Sequence, residues 1–317
     1  MEAPHRPLVL VALLSLLAAA PARAYLIIVD DQFNDGGRSN GADPLDVAWW
    51  EQNTGTTTTV NAAGGLTGNS LLVDSNGTFR PVVAAFPLTT IALGQRLRLA
   101  FDIQVFGSGT TGSGATLNGT GNPPNPSEFR FGLYNYNNTA PTADGNTSSG
   151  NDFGYRGRIL AGSPAGLLDL LQEYGGSGDL LGGADGNGTL FGETASGTFN
   201  FADNTPRSVL FDILRGGTNL MEITMQVYSG VGLTGSILAS VWATDTGNIR
   251  NAGGANTEPS TSQVYTSFNL IAFSSGHVDF NYRLDNIRVA LIPEPTTLSL
   301  GILGALALLC RRRRRAQ

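Results

Sequence analysis

Arg96–Phe106 reads RLRLAFDIQVF, and its period decides the fold. Leu97, Leu99, Phe101, Ile103 and Val105 fall on one side of an extended chain, with Arg96, Arg98, Asp102 and Gln104 on the other. Alternation sustained over that length means one face buried and one wet, which is the signature of an antiparallel strand. The pattern recurs outward from it. Glu128–Tyr134 places Phe129, Phe131 and Leu133 inward. Ser208–Leu214 and Met221–Tyr228 read as a hairpin joined through Gly216-Gly217-Thr218-Asn219, with Met221, Ile223, Met225 and Val227 pointing in. Tyr25–Val29, Ser236–Thr244, Val264–Phe273 and His277–Leu291 complete the strand set. Gly107–Ser127 and Asn135–Asp152 are rich in Gly, Asn, Thr and Pro and read as loops. The leucines of Pro164–Tyr174 predict one short helix. The fold class that follows is all-β, a two-layer antiparallel jelly-roll-like sandwich spanning 25–292 as one domain.

The last strand contains an irregularity. Val278, Phe280, Tyr282 and Leu284 share a parity that Ile287 and Val289 do not. A two-residue period cannot put both sets on one face, so a bulge is predicted between Leu284 and Asn286.

Both ends of the chain differ from its middle. Residues 1–24 carry His5 and Arg6, an apolar core Leu8–Ala20, and the small residues Ala22 and Ala24 around Arg23. That is the layout of a signal peptide cleaved after Ala24. At the other end Pro293, Glu294 and Pro295 precede an apolar run, Leu298–Cys310, followed by Arg311, Arg312, Arg313, Arg314 and Arg315. An apolar run closed by a cationic block predicts a membrane-inserted helix with its arginines on the cytoplasmic side. The run is shorter than the ~20 residues of a comfortable span.

Pro-Glu-Pro, short helix and arginine cluster, in that order, resemble the PEP-CTERM sorting signal of exported bacterial proteins. The resemblance implies residues 293–317 as a sorting tail. It also implies recognition by an exosortase, processing near Pro293–Pro295, transit through the inner membrane, and a final place at the cell surface or in an exopolysaccharide matrix of a Gram-negative-type bacterium. The alternative is a plain single-pass anchor.

Without the two ends, 12 basic and 23 acidic residues remain, a net charge near −11, and the chain has no lysine. That balance excludes nucleic-acid and anionic-membrane partners, which would need the opposite sign. Cys310 is the only cysteine, so residues 25–292 have no disulfide and no thiolate site. His277 is the only histidine beyond the signal, and no Gly-x-Ser-x-Gly elbow accompanies it.

The opening Asp31-Gln32-Phe33-Asn34-Asp35-Gly36, followed by Trp49-Trp50, resembles the start of concanavalin-like (laminin-G-like) sandwiches and carbohydrate-binding modules. In such modules a final-strand Asp often binds a structural calcium with N-terminal acids. The matching residues here are Asp285 with Asp30 or Asp31, the alternative being a turn at Asp285-Asn286. Retaining glycosidases of that fold carry Glu-x-Asp-x-x-Glu along one strand. Glu222-Ile223-Thr224-Met225-Gln226-Val227 keeps one Glu and lacks the middle Asp and the second Glu. The expectation is therefore a non-enzymatic exported protein associated with exopolysaccharide. The alternatives are a carbohydrate-binding module, with Trp49, Trp50 and Trp242 as stacking rings, or a diverged glycoside hydrolase.

Overall fold

A computed structural model describes residues 25–39, 44–52, 56–62, 66, 68–75, 81–107, 128–137, 140–145, 152–160, 168–174, 180–181, 187–189, 199, 201, 203–247, 264–275 and 280–293. The expected signal peptide with Ala22 and Ala24, the expected tail beyond Pro293, and His277 lie outside the described residues.

Fifteen described strands form two antiparallel sheets, with no helix among the described residues. They are β1 (Leu26–Asp31), β2 (Trp49–Glu51), β3 (Thr56–Asn61), β4 (Ser70–Ser75), β5 (Val82–Thr90), β6 (Gln95–Gly107), β7 (Glu128–Asn135) and β8 (Phe153–Leu160). There follow β9 (Leu168–Tyr174), β10 (Asn187–Thr189), β11 (Arg207–Gly217), β12 (Leu220–Tyr228), β13 (Ile237–Asp245), β14 (Ser267–Ser275) and β15 (Phe280–Pro293). The larger sheet runs β13-β12-β11-β6-β15-β4-β3, with β1 also on β15; the smaller runs β10-β9-β8-β7-β14-β5-β2.

The alternating residues of β6 build the core as their period predicts. Leu97, Leu99, Phe101, Ile103 and Val105 are all buried between the sheets. Phe101 meets Phe131 and Phe273 edge-on, at 5.0 and 4.9 Å between centroids, so β6 of one sheet locks to β7 and β14 of the other through aromatic rings. The Phe131 ring reaches β8 at Gly157, where an added Cβ would sit 2.6 Å from the ring and 2.9 Å from the Met225 sulfur. The β11–β12 hairpin and its inward set are as expected from sequence.

The predicted helix in Pro164–Tyr174 is corrected. Leu168–Tyr174 is a strand, β9, paired on both sides with β8 and β10. Leu168 and Leu170 enter the core while Asp169 turns to Arg158 on the other face. Leu171 shares the other face with Asp169, and neighbouring strands on both sides overrule the run's helical propensity.

The bulge predicted in the last strand is present. The β15–β6 register shifts between Asp285 and Arg288, and Asn286 adopts φ +49°. Tyr282, Leu284, Ile287 and Val289 are all fully buried in the same core despite their opposite parity. The bulge also marks a change of neighbour. Before it Tyr282–Leu284 pair with β4; after it Ile287–Leu291 pair with β1; β6 lies along the other side throughout.

Candidate functional site

The junction of β1, β4 and β15 gathers acids that the fold buries. Asp285 and Asp102 lie opposite one another in the β15–β6 register. Asp102 accepts hydrogen bonds from Ser208 Oγ (2.6 Å), Gly232 N (2.7 Å) and Asn286 Nδ2 (2.8 Å). The carboxylate thereby holds the bulge residue at its positive φ and clamps the β12–β13 loop over the sheet. Leu233 N donates to Ser208 Oγ at 2.9 Å and completes the clamp.

Asp285 is fully buried and accepts only a short-range bond from Asn286 N at 2.7 Å among its described contacts. Burial pushes its carboxyl up to about 7, and the negative charges of Asp102 and Asp31 push the same way. Asp31 faces the core, accepting from Trp49 Nε1 (2.8 Å) and Phe33 N (3.1 Å). Burial raises it to about 6 against those two hydrogen bonds.

The structure separates the three acids expected to share a cation. Asp30 has the opposite parity to Asp31 and pairs with Arg288 through Nη2 at 2.8 Å, which takes it out of the set. Asp31 remains close enough for its charge to act on Asp285. Among the described residues no group of three or more His, Cys, Asp or Glu is arranged to hold a metal ion. Beside the junction, an open cleft of about 270 Å³ is walled by Asp102, Asn286, Gly232, Leu233 and the Asp30–Arg288 pair.

The three tryptophans part company. Trp49 is corrected as a stacking ring: it is 0% exposed, packed on Phe273 and Phe33, with no face left for a ligand. Trp50 is half-buried against a second, smaller apolar cluster that contains Tyr134, Tyr136, Leu180 and Leu181. Trp242 is 58% exposed. It stands on the outer face of β13, the described edge of the larger sheet, opposite Thr224 of β12. Continuing across the strands, that row reaches Asp212, which Arg98 grips through Nε and Nη2 at 2.8 Å each. On the neighbouring row, Tyr228 donates to Gln226 Oε1 at 2.9 Å.

Two carboxylates away from β12 have structural partners. Glu51 accepts from Thr58 N and Oγ1, and Glu128 lies between Arg130 and Arg158. Glu222, Thr224 and Gln226 do line one face of β12, so their spacing is as the sequence implies.

Two polar constellations went unnoticed in the sequence. One is Asp102 with Ser208 and Asn286; the other is Asp245, which accepts from Tyr155 Oη (2.6 Å) and Gln172 Nε2 (2.9 Å) and ties the two sheets together. Asp102 had a readable signal, since it sits on the wet side of β6 yet matches the bulge in β15. Asp245 had none, because its partners come from 73 and 90 residues away.

No family model matches the sequence, and no curated protein sequence is similar to it. Solved structures are similar in fold at low identity. The carbohydrate recognition domain of Emp46p, in its potassium-bound form, is 10% identical with TM-score 0.39, covering 78% of this chain and 89% of that one. The globular domain of T. cruzi calreticulin is 12% identical with TM-score 0.43, covering 92% and 100%. The exoplasmic/lumenal domain of VIP36, bound to Ca2+ and Man3GlcNAc, is 10% identical with TM-score 0.42, covering 86% and 92%. Likeness at this level does not fix a function.

Proposed function

We propose that this chain is an exported, non-enzymatic β-sandwich that is directed to the cell surface by its PEP-CTERM-like tail and holds polysaccharide on the outer face of β12 and β13. The observation that carries the binding reading is Trp242, a large ring left more than half exposed on a polar sheet face. An exposed indole offers a planar apolar surface to the C–H face of a sugar ring, and Thr224, Gln226 and Glu222 beside it offer hydrogen bonds. Glu222 has no second carboxylate along β12 to protonate a leaving group, which favours binding over hydrolysis.

Affinity electrophoresis of the leaderless chain through gels containing neutral and uronate polysaccharides tests this. Retardation that Trp242→Ala abolishes and Trp50→Ala leaves intact is the expected result. Equal retardation of both variants removes the site, and free migration in every polymer removes the function. Export and processing are tested separately, by the mass of the surface-exposed product and its change when Arg311–Arg315 are replaced by serine.

Calcium fits the chemistry of the β15 junction in part. Asp31 and Asp285 supply hard oxygen donors whose charge the fold leaves costly, and backbone carbonyls would have to complete a shell of six to eight. Bound there, the cation would neutralise the two carboxylates. A rise in melting midpoint with calcium that chelator reverses is expected; an unmoved midpoint dismisses the site.

A further inference from the structure

Six large apolar side chains are exposed among the described residues, and four of them lie at one end of the sandwich. Leu26 pairs with Leu291 at the start of β1, with Tyr25 just before it. Leu93 sits on the β5–β6 turn, whose Gly94 N bonds Arg215 O, and Gln95 directly after it pairs with Pro293. Leu88 lies two residues from the end of β5, where Thr90 meets Ser267. Their exposures are 45% for Tyr25, 56% for Leu26 and 62% for both leucines. The same end is where β15 delivers Pro293, and so where the tail begins.

Charge is distributed to match. The chain as a whole is acidic, with 25 acidic residues against 19 basic. Residues 25–29, 86–96, 213–221 and 289–293, however, meet at this end and hold no acid. Their two arginines are engaged within the fold, Arg96 with Asp212 and Arg215 with Ile91 O. Glu222 lies just beyond, its carboxylate against Gly216. Cleavage after Ala24 would add a free α-amino group at Tyr25.

The tail's apolar run starts at Leu298, five residues after the last strand residue. Five residues span at most roughly 17 Å. A bilayer's polar interface is itself several ångströms deep. A sandwich tethered so closely cannot stand clear of the lipid.

We propose that the Tyr25–Leu26–Leu88–Leu93 end of the sandwich is a membrane-resting surface, seated on the outer leaflet of the inner membrane while the tail is inserted. This rests on the reading of 298–315 as an inserted helix. The leucines enter the interfacial layer, and the α-amino group at Tyr25 meets lipid phosphates. The face bearing Trp242 is then held upright, roughly along the membrane normal, and open to polymer outside.

The test uses the chain from Tyr25 to Gln317 reconstituted in vesicles of phosphatidylethanolamine and phosphatidylglycerol, with or without bromine on the acyl chains. An environment-sensitive nitrobenzoxadiazole label is placed on native Cys310, or, in a Cys310→Ser background, by Leu93→Cys, Leu88→Cys or Thr234→Cys. Thr234 lies on the β12–β13 loop at the far end. Loss of emission at 310, 93 and 88, with none at 234, is expected. Loss at 310 while 93 and 88 behave like 234 overturns the resting surface and leaves the tail reading standing. No loss at 310 overturns both. Equal loss at 93, 88 and 234 means the sandwich lies on lipid without preference, and also overturns it. Two labelled leucines keep the answer available if one variant fails to fold.

Discussion

The two sheets treat their outer faces in opposite ways. Around β7 and β8 the smaller sheet buries its outside almost as completely as its inside, with Tyr134 fully enclosed and lying across Gly132 and Gly154. Its acids there face arginines: Glu128 meets Arg130 and Arg158, and Asp169 meets Arg158. Along β12 and β13 the larger sheet leaves its outside wet, and Trp242 projects from it. The larger sheet buries acids in both ways: Asp212 is held by Arg96 and Arg98, whereas Asp31 and Asp285 take their hydrogen bonds from an indole and from backbone N–H groups. Structural investment is concentrated on one outer face and contact with the surroundings on the other.

Tyr134→Ala attacks that difference most directly. It should lower stability by about 3–5 kcal/mol, as for a large buried ring, measured by denaturant unfolding. A loss below 1 kcal/mol would mean that this face is wet after all.

Acid–base behaviour comes next. Asp285 and Asp31 are raised to about 7 and about 6 from 3.8, so the folded state holds more protons than the unfolded one between roughly pH 4 and pH 7. Their contribution therefore falls as pH rises through that window, by about 1.4 kcal/mol for each unit of upward shift. Without divalent cation, Asp285→Asn should flatten the pH profile and raise stability above pH 7. An unchanged slope would mean that another group sets it.

Gly157→Ala should cost about 1–3 kcal/mol through overpacking against Phe131 and Met225. The smallest effect on stability is expected for Trp242→Ala, within about 0.5 kcal/mol, because the ring is exposed. It should nevertheless give the largest loss of polymer retention.

Sequence periodicity revealed the larger sheet well, since β6 and β12 each have one apolar and one polar face and so alternate cleanly, although Asp102 and Gln104 on the polar face of β6 are buried. It revealed the bulge for the same reason, as the parity switch from Leu284 to Ile287 has no other solution. It served the smaller sheet less well. In β7 and β9 both faces are enclosed, so polar residues such as Arg130 and Gln172 stand at buried positions and leucines crowd without a clear period. The site suffered from another blindness. Trp49 and Trp242 look alike in sequence, and only the Asp31 carboxylate waiting for the Trp49 N–H decides which of them is internal.

The position of β15 sets how the molecule bears load. It is the strand that leads into the tail, and it has β6 along one side and β4 then β1 along the other. Tension applied through Pro293 runs along this strand and must shear rungs on both flanks together, instead of peeling one rung at a time. In the setting proposed above, drag from a swollen polymer layer would strain the tether before it could unravel the sandwich.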